Sequence, residues 1–259
     1  MQSMKFSLVR DLTSYGVFLG LTIVSAIAAH ADVFTINPAL SSLTLSGSTN
    51  GSPFMQQGAG SLVTSYFGTI DASFNASSIT FNSALVTANN SGSWQPAAGG
   101  VAGSAPANYG VRATVFPLTA LGAIRNLQFS LTSPNPITLT GSAFDASQIN
   151  LTALSGLFDY LVAGVTNGTL DETGLTGPNA ATGGLFTVTG GIATLTIPIL
   201  FSQTVTVINP NDTTFTFTGT MVATAAVPEG STANLLIAGM IVLAGRQIFR
   251  RRSCLFRES

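Results

Sequence analysis

Lysine, histidine and cysteine are nearly missing from this sequence: Lys5, His30 and Cys254 are the sole examples of each. All three lie in the terminal segments, so the long middle of the chain contains none of them. That excludes Ser-His-Asp and Cys-His nucleophilic catalysis, which need an imidazole to take the proton. It excludes the common zinc sites and Schiff-base chemistry for the same reason, and it excludes a disulfide in the body. Charge is scarce too, with nine basic and ten acidic residues in 259. Between positions 32 and 227 the basic residues are Arg112 and Arg125, against Asp32, Asp71, Asp145, Asp159, Asp171, Glu172 and Asp212. Two minus seven gives this stretch a charge of −5. Such a body cannot neutralise a phosphate backbone, so nucleic acid is excluded as a partner. No cofactor, metal site or catalytic residue is expected.

What charge there is gathers at the ends. Lys5 and Arg10 precede an apolar run from Val17 to Ala29, and Ala29-His30-Ala31 places small residues around a cleavage point before Asp32. Residues 1–31 therefore read as a secretory signal, with Ala29, Ala31 and Asp32 marking the cut. The apolar run is short for a membrane span of about 20 residues.

The C-terminus follows a different order. Val227-Pro228-Glu229-Gly230-Ser231-Thr232 is followed by the apolar stretch Ala233 to Gly245, then by Arg246, Arg250, Arg251 and Arg252. Extended through Phe249, the apolar helix of 233–249 approaches the length of a span, and its arginines belong on the cytoplasmic side. This arrangement resembles the PEP-CTERM sorting signal of Gram-negative bacteria: a Pro-Glu-Pro motif, a short apolar helix and a terminal Arg cluster. Gly230 stands where the second proline is usual. The resemblance covers 227–259, and its carriers are Val227, Pro228, Glu229, Gly230, Ser231, Thr232, Arg250, Arg251 and Arg252. It implies recognition by an exosortase, a membrane enzyme that would cut near Pro228-Glu229 after signal peptidase has acted at the other end. It also implies transient residence in the inner membrane, then a place at the cell surface or in an exopolysaccharide matrix.

The body, 32–226, alternates Ser, Thr, Asn and Gly with Val, Leu, Ile and Phe. Residues 183–226 hold twelve threonines at near period two. Alternate residues on a strand face opposite sides, so Leu195, Ile197, Val205, Val207, Phe215 and Phe217 are expected to face a core. Strands are predicted at 33–37, 42–47, 61–74, 78–88, 111–116, 126–132, 137–144, 185–189, 192–200, 202–208 and 213–224. Gly190-Gly191 and Asn209-Pro210-Asn211-Asp212 supply turns. The stretch 149–164 reads as a strand or as a short helix at 154–163. The expected fold is all-β: a single antiparallel β-sandwich or jelly roll, flanked by a signal helix and a transmembrane helix.

Candidate sites in the body are few. Residues 89–109 read as a long Gly-rich loop whose Trp94 and Tyr109 offer rings for stacking on sugars, or an edge plug. Ile70-Asp71-Ala72-Ser73-Phe74 and Phe144-Asp145-Ala146-Ser147 look alike, which hints at a repeated unit, with turn capping or a metal as the role of the acids. Asp171-Glu172 is expected on a solvated loop tip, and Asp212 in a turn, with calcium as its alternative. The main expectation is a non-enzymatic, exported surface or matrix protein associated with exopolysaccharide. The alternatives are a carboxylate-based glycan-active enzyme, or a single-pass membrane protein whose anchor is kept.

Overall fold

The computed structural model describes residues 30–57, 61–96, 103–115, 117–209 and 212–227. Both terminal signals fall outside this range, apart from His30 to Asp32 and Val227. The body is all-β, as its alternation predicts.

The strands are β1 (His30–Ile36), β2 (Ser42–Thr49), β3 (Ser52–Pro53), β4 (Met55–Gln56), β5 (Val63–Phe74) and β6 (Ser78–Ala88). A small hairpin follows, β7 (Gly92–Gln95) and β8 (Gly103–Ala107). Then come β9 (Tyr109–Val115), β10 (Leu118–Thr132), β11 (Ile137–Thr138), β12 (Ala143–Phe144) and β13 (Asn150–Val162). The last are β14 (Thr166–Asp171), β15 (Thr176–Pro178), β16 (Gly184–Thr189), β17 (Ile192–Val205) and β18 (Thr213–Ala226). Sixteen of them form one continuous antiparallel sheet, with β7 and β8 apart.

The path of the sheet runs β17-β18-β1-β5-β6-β10-β13. β2 continues the place of β1, pairing with β18 through Thr213↔Thr49 to Thr220↔Ser42 and with β5 through Ser42↔Ser65. β15 lines the far side of β13. Two residues then carry the hydrogen bonding across to β17. Asn179 N–H donates to Ile149 O on one side, and Ala180 N–H donates to Leu200 O on the other. The sheet thus closes on itself at this seam.

The closed sheet is filled. Rings from opposite sides touch in the middle, Phe158 of β13 against Phe215 of β18 with centroids 4.7 Å apart. Tyr109 of β9 meets Phe217 of β18 at 5.7 Å, and Phe74 of β5 meets Phe186 of β16 at 4.7 Å. These offset and edge-on contacts add to the burial of large apolar area. Leu195, Ile197 and Phe215 are buried, and Val205, Val207 and Phe217 are partly buried against the same core, as the alternation predicts.

Four expectations need correction. First, Ile192 to Val205 is one strand, not two; it pairs with β18 residue for residue from Ile192↔Ala226 to Val205↔Thr213. No turn chemistry separates its halves, and β18 supplies a partner of equal length. Second, of the two readings of 149–164 the strand holds, as 150–162, and the short helix at 154–163 is overturned, because β10 and β14 flank the segment and satisfy its backbone on both sides. Third, β10 begins at Leu118, well before the predicted 126, and Thr166 to Asp171 and Thr176 to Pro178 are strands that were not expected. Fourth, 137–144 is broken into β11 and β12 by a turn at Gly141, whose φ is +63°. The Gly190-Gly191 turn is as expected. Both residues have positive φ, +56° and +73°, and Thr189 pairs with Ile192 across it, the geometry that a two-residue hairpin demands.

Candidate functional site

Of the cleavage and sorting residues, Ala31, Asp32 and Val227 are among the described ones. Ala31 pairs with Ser73 and Asp32 with Ala72, so the predicted cut falls inside β1. At the other end, Val227 N–H donates to Gly191 O at 2.8 Å, and its side chain packs on the core. The first residue of the sorting motif is therefore tied to the body. Pro228, Glu229, Gly230, Ser231, Thr232, Arg250, Arg251, Arg252 and Ala29 lie outside the described residues.

The outward face of β17, β18 and β2 is a field of hydroxyls. In register across the three strands stand Thr204-Thr214-Ser48, Ser202-Thr216-Ser46, Leu200-Thr218-Thr44 and Pro198-Thr220-Ser42. Thr204 and Thr214 hydroxyls lie 3.2 Å apart and those of Ser202 and Thr216 2.9 Å apart, so neighbouring rows hold one another's rotors. None of these residues is charged. Hydroxyls donate and accept, which suits a neutral polar ligand without ion pairing.

The loop expected at 89–109 is largely a hairpin, β7 with β8, and its base is fixed. Asn108 is buried; its Nδ2 donates to Ala88 O and Asn89 O, and its Oδ1 accepts from Leu127 N–H. Tyr109 is not available for stacking on a sugar. It is fully buried, its hydroxyl donates to Leu43 O at 3.2 Å, and it accepts from Tyr66 Oη at 2.6 Å. Burial pushes the Tyr66 phenol well above its ordinary range, with the neighbouring Tyr109 adding to it; burial also raises Tyr109. The side chain of Trp94 lies outside the described residues. Among the described residues the exposed aromatic is Phe67, on the outer face of β5 and 43% exposed, near Leu85 of β6 at 48%. Phe67 is one position of an ordinary alternating strand, and nothing in the sequence marks it.

The acids are dispersed, each with its own neighbours. Asp71, on β5, accepts from Asn82 Nδ2 at 3.1 Å. Asp145 caps a 3₁₀ turn at Ala146–Gln148, accepting from Ser147 N–H. Hydrogen bonds from Ser147 hold its carboxyl below the usual range. The two look-alike segments are thus unlike in structure, one a strand interior and the other a turn. Asp159 is buried and paired with Arg125, with Thr169 Oγ1 donating to its other oxygen at 2.6 Å. Asp212 is a turn residue, as expected: its carboxylate accepts from the N–H groups of Val207, Ile208 and Asn209. Burial opposes its ionisation, but those backbone donors prevail and its pKa is lowered. Among the described residues no group of three or more His, Cys, Asp or Glu is placed to hold a metal ion.

Asp171 and Glu172 part company. Asp171 is exposed and accepts from Thr173 N–H at 2.9 Å. Glu172 is not on a solvated tip. The 172–175 segment joins β14 to β15 without a change of register on β13, from Leu157↔Asp171 to Thr152↔Thr176, with Glu172 N–H donating to Gly156 O and Gly174 N–H to Ala153 O. Glu172 continues the inward alternation of Thr166, Gly168 and Leu170 one step past β14, and there desolvation first, and the charge of Asp171 second, raise its pKa.

Comparison with protein-family models, with curated proteins and with solved structures found no match to this chain.

Proposed function

We propose that this chain is an exported surface or matrix protein, delivered by signal peptidase and an exosortase-type enzyme, whose all-β body associates with exopolysaccharide. The observation that carries the proposal is the order of the C-terminal segment. A Val-Pro-Glu-Gly-Ser-Thr motif, an apolar stretch and an Arg cluster follow the last strand directly, in a chain that opens with a basic-then-apolar leader. A feature of the sequence fits a cut there: Val227 N–H donates to Gly191 O, and the next residue is a proline, which has no N–H with which to extend a ladder.

The hydroxyl rows of β17, β18 and β2 support the polysaccharide part of the reading. They offer hydrogen bonds over a face without charge, and a body of −5 disfavours acidic polymers.

The experiment is the intact mass and terminal peptides of the protein from producing cells, with and without the exosortase. A form running from Asp32 to near Pro228-Glu229, seen when the enzyme is present, is the expected result. A form that starts at Asp32 but keeps Arg250 to Ser259 in both strains would refute sorting and leave a single-pass membrane protein.

A further inference from the structure

Where β1 takes over from β2, the outer face of the sheet carries a row of five threonines. Thr187 of β16 pairs with Thr194 of β17, Thr194 with Thr224 of β18, Thr224 with Thr35 of β1, and Thr35 with Thr69 of β5. All five point outward, because their strand neighbours Phe186, Leu195, Ala223, Phe34 and Ile70 are buried. None of the five hydroxyls bonds another described residue. By contrast, those of Thr204 and Thr214, and of Ser202 and Thr216, bond each other.

Exposed apolar side chains flank the row on both sides. Leu185 and Phe67 stand one outward position from Thr187 and Thr69 on one side; Ile192 and Val33 stand one outward position from Thr194 and Thr35 on the other. Exposed apolar side chains gathered on one face mark an interaction surface.

The two features together select the partner. Hydroxyls alone suit any neutral polar molecule, and apolar side chains alone suit another protein. A pyranose chain offers both: C–H faces to lie on Phe67 and Val33, and hydroxyl edges to donate to and accept from threonine. Charge agrees, since these positions hold no basic residue and Asp71, opposite Val33, repels carboxylates. Shape narrows the partner further. Neighbouring strands rotate by about 20–25°, so the row turns as it crosses from β16 to β5. A single chain follows that turn through its glycosidic torsions; the flat surface of a crystalline fibre does not.

We propose that the outer face of β16, β17, β18, β1 and β5 binds a single neutral pyranose chain, laid along the threonine row with one ring stacked on Phe67. This rests on the part of the reading above that gives the body a polysaccharide partner, and it places the contact on this row.

The test titrates the full chain with cellobiose to cellohexaose, read by the amide resonances of Thr35 and Thr224. The row crosses from β16 through β17, β18 and β1 to β5, about 19 Å at roughly 4.8 Å per step. Affinity is expected to rise with oligomer length and to level off once that span is covered. The same oligomers oxidised at C6 to carboxylates are expected to bind more weakly at low salt, with the gap closing as salt rises. Thr224→Val keeps shape and strand preference and removes one hydroxyl; it should lower affinity about fivefold, the effect of one neutral hydrogen bond. Phe67→Ala should lower it about tenfold, the effect of one ring contact. Thr138→Val, on β11, should change nothing. Unchanged affinity in both Thr224→Val and Phe67→Ala would overturn the site; if Thr216→Val then lowers it, the chain lies on the β17, β18 and β2 rows and the polysaccharide reading survives. No saturable binding by any oligomer, or equal binding of the oxidised ones at low salt, would also overturn the proposal, and the terminal peptides would still decide export on their own. Dimerisation that Phe67→Ala abolishes, without glycan binding, would overturn it by assigning the face to a second copy.

Discussion

Asn179 is the residue on which the closed sheet should depend most. It is buried at 1% exposure, and its side chain makes four hydrogen bonds. Nδ2 donates to Ala146 O at 3.1 Å and to Pro198 O at 2.8 Å. Oδ1 accepts from Leu200 N–H at 2.8 Å and from Ala181 N–H at 3.3 Å. Asn179→Ala strips two backbone donors of their acceptor. Each orphaned buried group costs about 1–3 kcal/mol. The Ala146 carbonyl loses less, because it keeps Ile149 N–H. The sum is about 4 kcal/mol, a large part of the roughly 5–15 kcal/mol by which a domain is stable. Urea denaturation of the wild type, Asn179→Ala and the exposed control Asn167→Ala measures it, and the control should shift by less than about 0.5 kcal/mol. Asn179→Asp keeps the acceptor but turns a carboxylate oxygen toward two carbonyls. It should be worse than alanine at neutral pH and recover partly in acid. An Asn179→Ala variant within about 1 kcal/mol of wild type would show that the seam is held by backbone bonds alone.

Other perturbations should separate the remaining polar contacts. Tyr109→Phe strands the Tyr66 hydroxyl and removes the bond to Leu43 O, so it should cost about 2 kcal/mol, against about 1 for Tyr66→Phe, by urea denaturation. Both phenols have raised pKa values, so the fold keeps them protonated while the unfolded chain ionises near the ordinary value of 10.0. Stability should therefore fall as pH rises past about 10, and less steeply in the two Phe variants. Glu172 is also raised, from 4.5, so its contribution is favourable in acid and is lost as pH climbs through the folded value; Glu172→Gln should be more stable than wild type at neutral pH, with the gap closing below about 4.5 in a series of melting temperatures. Asp212 is depressed from 3.8 and works the other way: its stabilisation is complete above that pH and disappears on further acidification, and Asp212→Asn should flatten this acid limb.

The sequence revealed strands wherever hydrophobic alternation and turn chemistry coincide. Thr187-Val188-Thr189, the glycine pair after it and the Thr213 to Thr218 run have both, and the strands and the turn came out as expected, although Val188 is exposed and Thr213 is buried. Alternation alone could not say that the β17 segment stays unbroken at Phe201, because continuity depends on a partner 14 residues long lying beside it. Thr166 to Asp171 is polar at nearly every position and becomes a strand through pairing with β13, not through propensity. Tyr109 read as a loop aromatic because Gly, Ala and Ser surround it; its burial follows from where β9 crosses β2 and β5. Asn179, in a Gly-Pro-Asn-Ala context, had every appearance of a turn residue. Its role comes from the meeting of β13 and β17, which lie far apart in sequence. The acids followed the same division. Asp145 and Asp212 have their partners within a few residues and were legible as turn formers. Glu172 was not, since β14 was not expected as a strand, and it is the alternation of β14 that aims Glu172 inward.

The place of β18 has a consequence for the order of events in the cell. This strand is the last of the body to be made, yet it lies in the interior of the sheet, flanked by β17, β1 and β2. β1 and β2, made first, have no partner on that side until Ala226 has emerged. A chain crossing a membrane from its N-terminus would thus remain an open, edge-exposed sheet until the final strand arrives. In an exported chain, completion of the fold would be tied to completion of transport, and any holding factor that shields β1 and β2 would be needed for the whole of that interval.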